Sequence, residues 1–391
     1  MVRTDGPLVF LVAGEPSGDV LGAKLMEGIQ RLLGNRVRFA GVGGSAMGSR
    51  GLDSLFPLSD LSVMGLVEVL PRLPLLIRRL RQTADAVASL RPDVVVTIDS
   101  PGFNVRLAKR LRGLGIPVVH YVAPSVWAWR PGRAKRMVGL FDHLLALLPF
   151  EPPYFTDVGL SCTFVGHPVL ECGAERADGT AFRRRHGIAA DVPVLVCLPG
   201  SRHSETGRLL PIFRETVQRL VRDRPTLRVV VPTVETVAAA VAADIATWAG
   251  KPILVTEESD RYAAFVAADV ALAASGTVAV ELALAGVPSV IAYRVNPLTA
   301  WLVRRLIKTR YVNLINIVLG REAVPERLQQ DCCADILAAD IGILLNNATA
   351  RAMQAEGVAE ALRRLGRNDA SPSLRAARVV LALIPSIESD E

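Results

Sequence analysis

Aromatic residues make up only 5% of this 391-residue chain, and there are only five histidines. Such scarcity leaves little for base stacking. The arginines are spread without a nucleic-acid-binding signature, so no nucleic acid partner is expected. The five cysteines, Cys162, Cys172, Cys197, Cys332 and Cys333, form no C-x-x-C pair and no zinc spacing. Reduced structural thiols are the expectation, with no metal and no cofactor. His120 and His167 have no partner at ligand spacing. Walker A, G-x-S-x-G and H-E-x-x-H motifs are missing, which argues against an ATPase, a nucleophile-elbow hydrolase and a zinc protease. Long apolar runs are missing as well. Ala263 to Tyr293 carries only Asp269 and Glu281, yet neither uncharged piece beside Glu281 reaches the ~18 residues that a span needs. The stretch Met1 to Pro7 carries no signal-peptide pattern, and a cytoplasmic protein is expected.

What is present is a chain that is 50% hydrophobic and 21% charged, too long for one ordinary core. The net charge of +7 suits an anionic membrane face or phosphorylated substrates. Continuous apolar strands at Leu8–Ala13, Val37–Ala40, Asp93–Ile98, Pro117–Tyr121 and His143–Leu148 alternate with helical segments. The pattern resumes at Val194–Leu198, Leu227–Val231, Ile253–Thr256, Val270–Ala274 and Ser289–Tyr293. Such runs predict parallel sheets covered on both faces. The charged gap Glu171–Arg185 marks a boundary near residue 170. The halves look like one architecture used twice, followed by a helical tail from Ala350.

Two junctions stand out: Leu198-Pro199-Gly200-Ser201-Arg202 and Ala274-Ser275-Gly276-Thr277. Each follows an apolar strand, turns on Gly and Ser or Thr, and begins a helix. Helix starts offer N–H groups and positive dipole to an anion, and two of them with an arginine suit a diphosphate. Glu281 is placed to take ribose hydroxyls. Asp99 ends a buried strand, where ligands of such sheets bind. The alternative is a helix N-cap, but Pro101 and Gly102 intervene, which favours a catalytic or ligand role. Glu15, in Gly14-Glu15-Pro16-Ser17-Gly18-Asp19, is the second candidate. Gly41-Val42-Gly43-Gly44-Ser45-Ala46 matches G-x-G-x-x-A, but after the second strand and not the first, which speaks against a dinucleotide site. Val63 to Arg81 is more apolar than a core stripe requires and carries four arginines, which suggests an interfacial or acyl-chain-binding role. Trp301 to Lys308 has a similar mixture, and an ordinary helix with a basic face explains it equally well.

These strings together resemble the lipid-A-disaccharide synthase family of inverting glycosyltransferases. They include Ala13 to Asp19, Val63 to Leu70, Ile98 to Asn104, His120 to Arg130, Leu147 to Glu151, Phe164 to Pro168, Leu198 to Arg202, Ser275 to Glu281 and Tyr293-Arg294. The resemblance implies the GT-B fold, an α/β architecture of two Rossmann-like parallel-sheet domains with a cleft between them. The expected division is 1–170 for the acceptor and membrane side, 171–349 for the UDP-sugar donor and 350–391 for a tail packing back on the first domain. The implied reaction joins UDP-2,3-diacylglucosamine to 2,3-diacylglucosamine 1-phosphate (lipid X), giving the β-1,6 disaccharide 1-phosphate and UDP. Asp99 is then the base, with Glu15 as runner-up. Ser201, Arg202, Ser275, Gly276 and Thr277 hold the diphosphate, Glu281 the ribose, and Asn316 helps to hold the donor. Ser17, Gly18, Asn104, His120 and Ser125 line the acceptor side. Val63, Met64, Leu66, Leu76, Arg78 and Arg79 dock on the anionic inner membrane, making the protein cytoplasmic and peripheral; a homodimer is compatible with the resemblance. Gly102 stands where the family is expected to carry Asp, Ile315 where it carries Pro, and the tail after about Ala334 matches little. A UDP-GlcNAc 2-epimerase and a non-enzymatic lipid-binding adaptor are the competing readings.

Overall fold

Six strands of the first half form one all-parallel sheet: β1 Leu8–Ala13, β2 Arg38–Val42, β3 Val94–Ile98, β4 Val118–Tyr121, β5 His143–Ala146 and β6 Cys162–Phe164. Their order is β2-β1-β3-β4-β5-β6. The second half repeats the design with β7 Val194–Leu198, β8 Arg228–Pro232, β9 Ile253–Val255, β10 Val270–Ala274, β11 Ser289–Tyr293 and β12 Glu326–Leu328, in the order β12-β11-β10-β7-β8-β9. The computed structural model describes residues 6–34, 36–61, 66–128, 131–296 and 309–384. The chain splits into two compact units, Met1–Pro168 with Asn368–Glu391, and Val169–Arg367.

Every residue of β1, β3, β7 and β10 is buried, as strands covered on both faces must be. In the first unit Phe10 and Val12 point into one core while Val9, Leu11 and Ala13 point into the other. The second core also takes Leu25 and Ile29 from helix Pro16–Leu33 and Ala376, Ala377, Val380 and Ile384 from the carboxyl-terminal segment. The stretch expected as one tail is therefore divided. Helix Ala348–Arg364 lies within the second unit, and helix Pro372–Ala382 covers a face of the first. Among the described residues no helix is long and apolar enough to cross a membrane.

Each sheet has a point where successive strands leave in opposite directions. In the first unit it lies between β1 and β3, which pair from Val9–Val94 to Ala13–Ile98. In the second it lies between β7 and β10, paired from Leu195–Val270 to Leu198–Ala273. Ligands of doubly wound sheets bind beyond the carboxyl ends of the strands at this point. Both candidate regions fall there.

Candidate active site

In the second unit the turns after β7 and β10 are neighbours because their strands are. They border a cavity of about 280 Å³ whose lining includes Gly200, Ser201, Glu205, Arg261, Ser275, Gly276, Thr277 and Glu281. Gly200 has φ +109°, and a Cβ there would meet the Glu205 carboxylate at 2.8 Å, so glycine is required twice over. Glu205 reaches back from the first turn of helix His203–Asp223. It accepts from the Ser201 N–H at 3.3 Å and pairs with Arg202 at 3.2 Å. Ser201, Arg202, Gly276 and Thr277 are exposed and Ser275 is half-buried. Glu281 is buried on helix Val278–Leu284. Its carboxylate pairs with Arg261 and accepts from the Tyr262 hydroxyl at 3.3 Å. Burial first, and the Glu281 charge second, push the Tyr262 phenol above its ordinary range, so it remains a donor. Arg261 escapes sequence reasoning, because it lies on helix Glu258–Val266 without a motif around it.

The first unit brings Glu15 and Asp99 to adjacent strand ends. The turns touch: a Cβ on Gly14 would lie 2.1 Å from that of Ser100. Asp99 and Ser100 both hold left-handed backbone, with φ 51° and 40°, an arrangement that costs energy outside glycine. Asn104 stabilises it. Its Nδ2 donates to the Ile98 carbonyl at 3.2 Å and the Asp99 carbonyl at 2.7 Å, from a fully buried position. The Asp99 N–H is fixed to the Tyr121 carbonyl at 2.9 Å. One carboxylate oxygen accepts from the Ser100 N–H at 2.8 Å, and no described residue bonds the other. A half-buried carboxylate with one oxygen available, on a backbone strained into place, is suited to taking a proton. Glu15 is half-buried at the N-cap of helix Pro16–Leu33, with Ser17 exposed and Gly18 buried against Ile98.

A family model for lipid-A-disaccharide synthetase matches residues 9–377. The chain belongs to the lipid-A-disaccharide synthase family. A relative of that name from Rhodospirillum centenum is 56% identical over 379 residues, covering 96% of this chain and 94% of its own. Another from Paramagnetospirillum magneticum is 51% identical and covers 96% and 97%. Among solved structures, the fold is shared with a Neisseria meningitidis UDP-GlcNAc 2-epimerase bound to UDP-GlcNAc, at TM-score 0.64 and 12% identity, covering 96% of this chain and 98% of that one. It is also shared with the glycosyltransferase of kitacinnamycin, at TM-score 0.64 and 19% identity, covering 98% and 100%. The chain is thus an enzyme of the lipid-A-disaccharide synthase family with the GT-B fold, and the epimerase and adaptor readings are not favoured.

Several residues expected at the synthase site lie elsewhere. His120 is fully buried within β4, 2.8 Å from the Thr97 hydroxyl and stacked on Phe141 at 4.9 Å. Burial first and Arg133 second hold its pKa down to about 3, so it is a neutral core group rather than a wall of the acceptor side. Asn316 is also fully buried. Its amide donates to the Val324 carbonyl and Glu326 and accepts from Ala323 and Val324, which fixes the loop into β12 instead of lining the donor cavity. Ile315 packs wholly inside beside it, whereas Gly102 is exposed. Ser125 is exposed on the turn after β4. Trp127, two residues on, donates to Glu151 at 3.0 Å. Glu151 also accepts from the Leu147 and Leu148 N–H groups, and burial pushes its pKa up to about 7 against those three donors.

The apolar basic stretch is also sorted by the fold. Val63 and Met64 lie outside the described residues, and Leu66 begins a helix that runs to Leu90 through Pro71 and Pro74. Leu76 packs on the core, while Leu73 and Ile77 are exposed beside Arg78 and Arg81. Arg79 turns inward. It pairs with Asp60 at 2.7 Å, donates to Gln82 and lies 4.7 Å over the Phe56 ring, so it is not an outward docking charge. The G-x-G-x-x-A turn is closed by the protein itself. Asp19 accepts from the N–H groups of Gly44, Ala46 and Met47 at 2.7–3.0 Å, which leaves a dinucleotide no phosphate seat there.

Proposed function

We propose that this chain transfers 2,3-diacylglucosamine from its UDP donor to the 6-hydroxyl of lipid X, with inversion, releasing UDP and the disaccharide 1-phosphate. The observation that carries the reading is the donor cavity, where two glycine-bearing turns, Arg261 and Glu281 converge at the switch point of the second sheet. In this reading Asp99 takes the proton of the acceptor hydroxyl as its oxygen bonds to the anomeric carbon. The bond to the UDP oxygen breaks with its electron pair. Ser201, Arg202, Ser275, Gly276 and Thr277 bind the diphosphate as charge grows on it, and Glu281 binds the ribose. Inversion needs one base and no covalent intermediate. Glu15, Ser17 and Ser125, all of the first unit, bind the acceptor.

The decisive assay is UDP release from the acylated donor with and without lipid X. Release that depends on the acceptor is expected; lipid-independent release, or none from folded protein, would refute the reading.

Both substrates carry acyl chains, which supports peripheral docking through the exposed Leu73, Ile77, Arg78 and Arg81 face. Each arginine near an anionic bilayer contributes about 1 kcal/mol. Neutralising Arg78 and Arg81 to Gln is thus expected to lower partitioning onto phosphatidylglycerol vesicles roughly thirtyfold. Arg79→Gln, in contrast, should lower the melting temperature and leave vesicle binding intact. Unchanged co-sedimentation of the Arg78/Arg81 double variant would remove this helix from the docking surface.

A further inference from the structure

Glu281 poses an electrostatic problem. Its carboxylate is 9% exposed and lines a cavity read here as the seat of a diphosphate. An uncompensated buried carboxylate is costly, and beside a polyanion it is repulsive as well. Arg261 answers both difficulties. It pairs with Glu281 from helix Glu258–Val266, and its guanidinium lies 5.2 Å from the Tyr262 ring centroid and 5.5 Å from that of Phe265. The Tyr262 hydroxyl meets the other Glu281 oxygen, so both oxygens are held from one helix. A planar fork packed against two rings loses little freedom on pairing and fixes direction as well as charge.

We infer that Arg261 is a positioning residue for specificity: it fixes the Glu281 carboxylate in the orientation that selects a ribonucleotide over a deoxyribonucleotide. The inference rests on the reading of this cavity as a UDP-sugar site. Hydrogen bonds to a charged acceptor are strong enough for loss of one hydroxyl to weaken binding about tenfold or more. Wild-type protein is therefore expected to bind UDP at least about tenfold more tightly than 2′-deoxy-UDP by titration calorimetry. In Arg261→Gln that ratio should fall to within about twofold, while UDP itself binds on the order of tenfold more weakly through loss of a cation.

Removing one partner of a buried pair can unfold a protein, so R261Q/E281Q, which leaves no unpaired charge, is the second variant. Its discrimination should match that of E281Q alone, because both residues act through one carboxylate. Arg261→Lys should recover part of both the affinity and the ratio. Retention of the wild-type ratio in R261Q, or a further loss of discrimination in the double variant beyond E281Q, would overturn the inference. So would wild-type binding of UDP without discrimination. Failure of wild-type protein to bind UDP at all would instead overturn the donor-site reading.

Discussion

Asp99→Asn is expected to lower acceptor-dependent UDP release by roughly 10²–10⁴-fold while the Kd for UDP stays within about twofold. The size follows from what the substitution removes. Asn keeps the shape of Asp, keeps an oxygen for the Ser100 N–H, and loses only the ability to accept a proton. The backbone should not respond. Asn tolerates the left-handed conformation at least as well as Asp, and the bonds that set φ at 51° run through the Asp99 main chain, to Asn104 and Tyr121. The turns proposed to hold UDP belong to the other unit. A fall in kcat without a change in melting temperature or UDP affinity is the signature sought. Turnover near the wild-type level would move the base role to Glu15, half-buried on the neighbouring strand end.

The largest effect on stability is expected at Val380. It is fully buried on helix Pro372–Ala382, in the core that also contains Leu25, Ile29 and β1. Val380→Asp places a carboxylate there without a partner, at a cost of about 4 kcal/mol or more. For a unit of this size such a loss lowers the melting temperature by roughly 8–16 °C. Val380→Ala should cost less, since it only opens a small cavity. Calorimetry that showed a shift under about 3 °C for the Asp variant would mean that the terminal helix is not integral to the first unit.

Much of this architecture is legible in the sequence because buried parallel strands must be apolar throughout. Leu8–Ala13, Val194–Leu198, Val270–Ala274 and Ser289–Tyr293 are found at the same limits in the structure. β6 and β12 escape notice because Cys-Thr-Phe and Glu-Arg-Leu are three-residue edge strands, only half-buried, with no run to announce them. Strand order is not written in any one segment, yet it is what sets β7 beside β10 and β1 beside β3. The glycine turns and the acids at strand ends could be picked out by local pattern. Arg261 could not, since its meaning depends on Glu281, twenty positions away and reached only through the fold. Spacing likewise cannot separate Arg78 from Arg79; the helix turns one outward and gives the other to Asp60. His120 sits within one of the strings that carry the resemblance and Asn316 follows the departure at Ile315, and both are absorbed by packing and loop closure.

The Asp19 carboxylate has a consequence for how many nucleotides the chain can carry. Both units are doubly wound parallel sheets, yet in the first the glycine turn after β2 is already neutralised by an acid of the same chain. A dissolved dinucleotide competing for that seat would face a tethered rival whose effective concentration is set by the backbone and not by the cell. Dilution cannot remove it, and salt has little purchase on a buried contact. That turn of the first unit is thereby saturated by a counter-ion of its own chain.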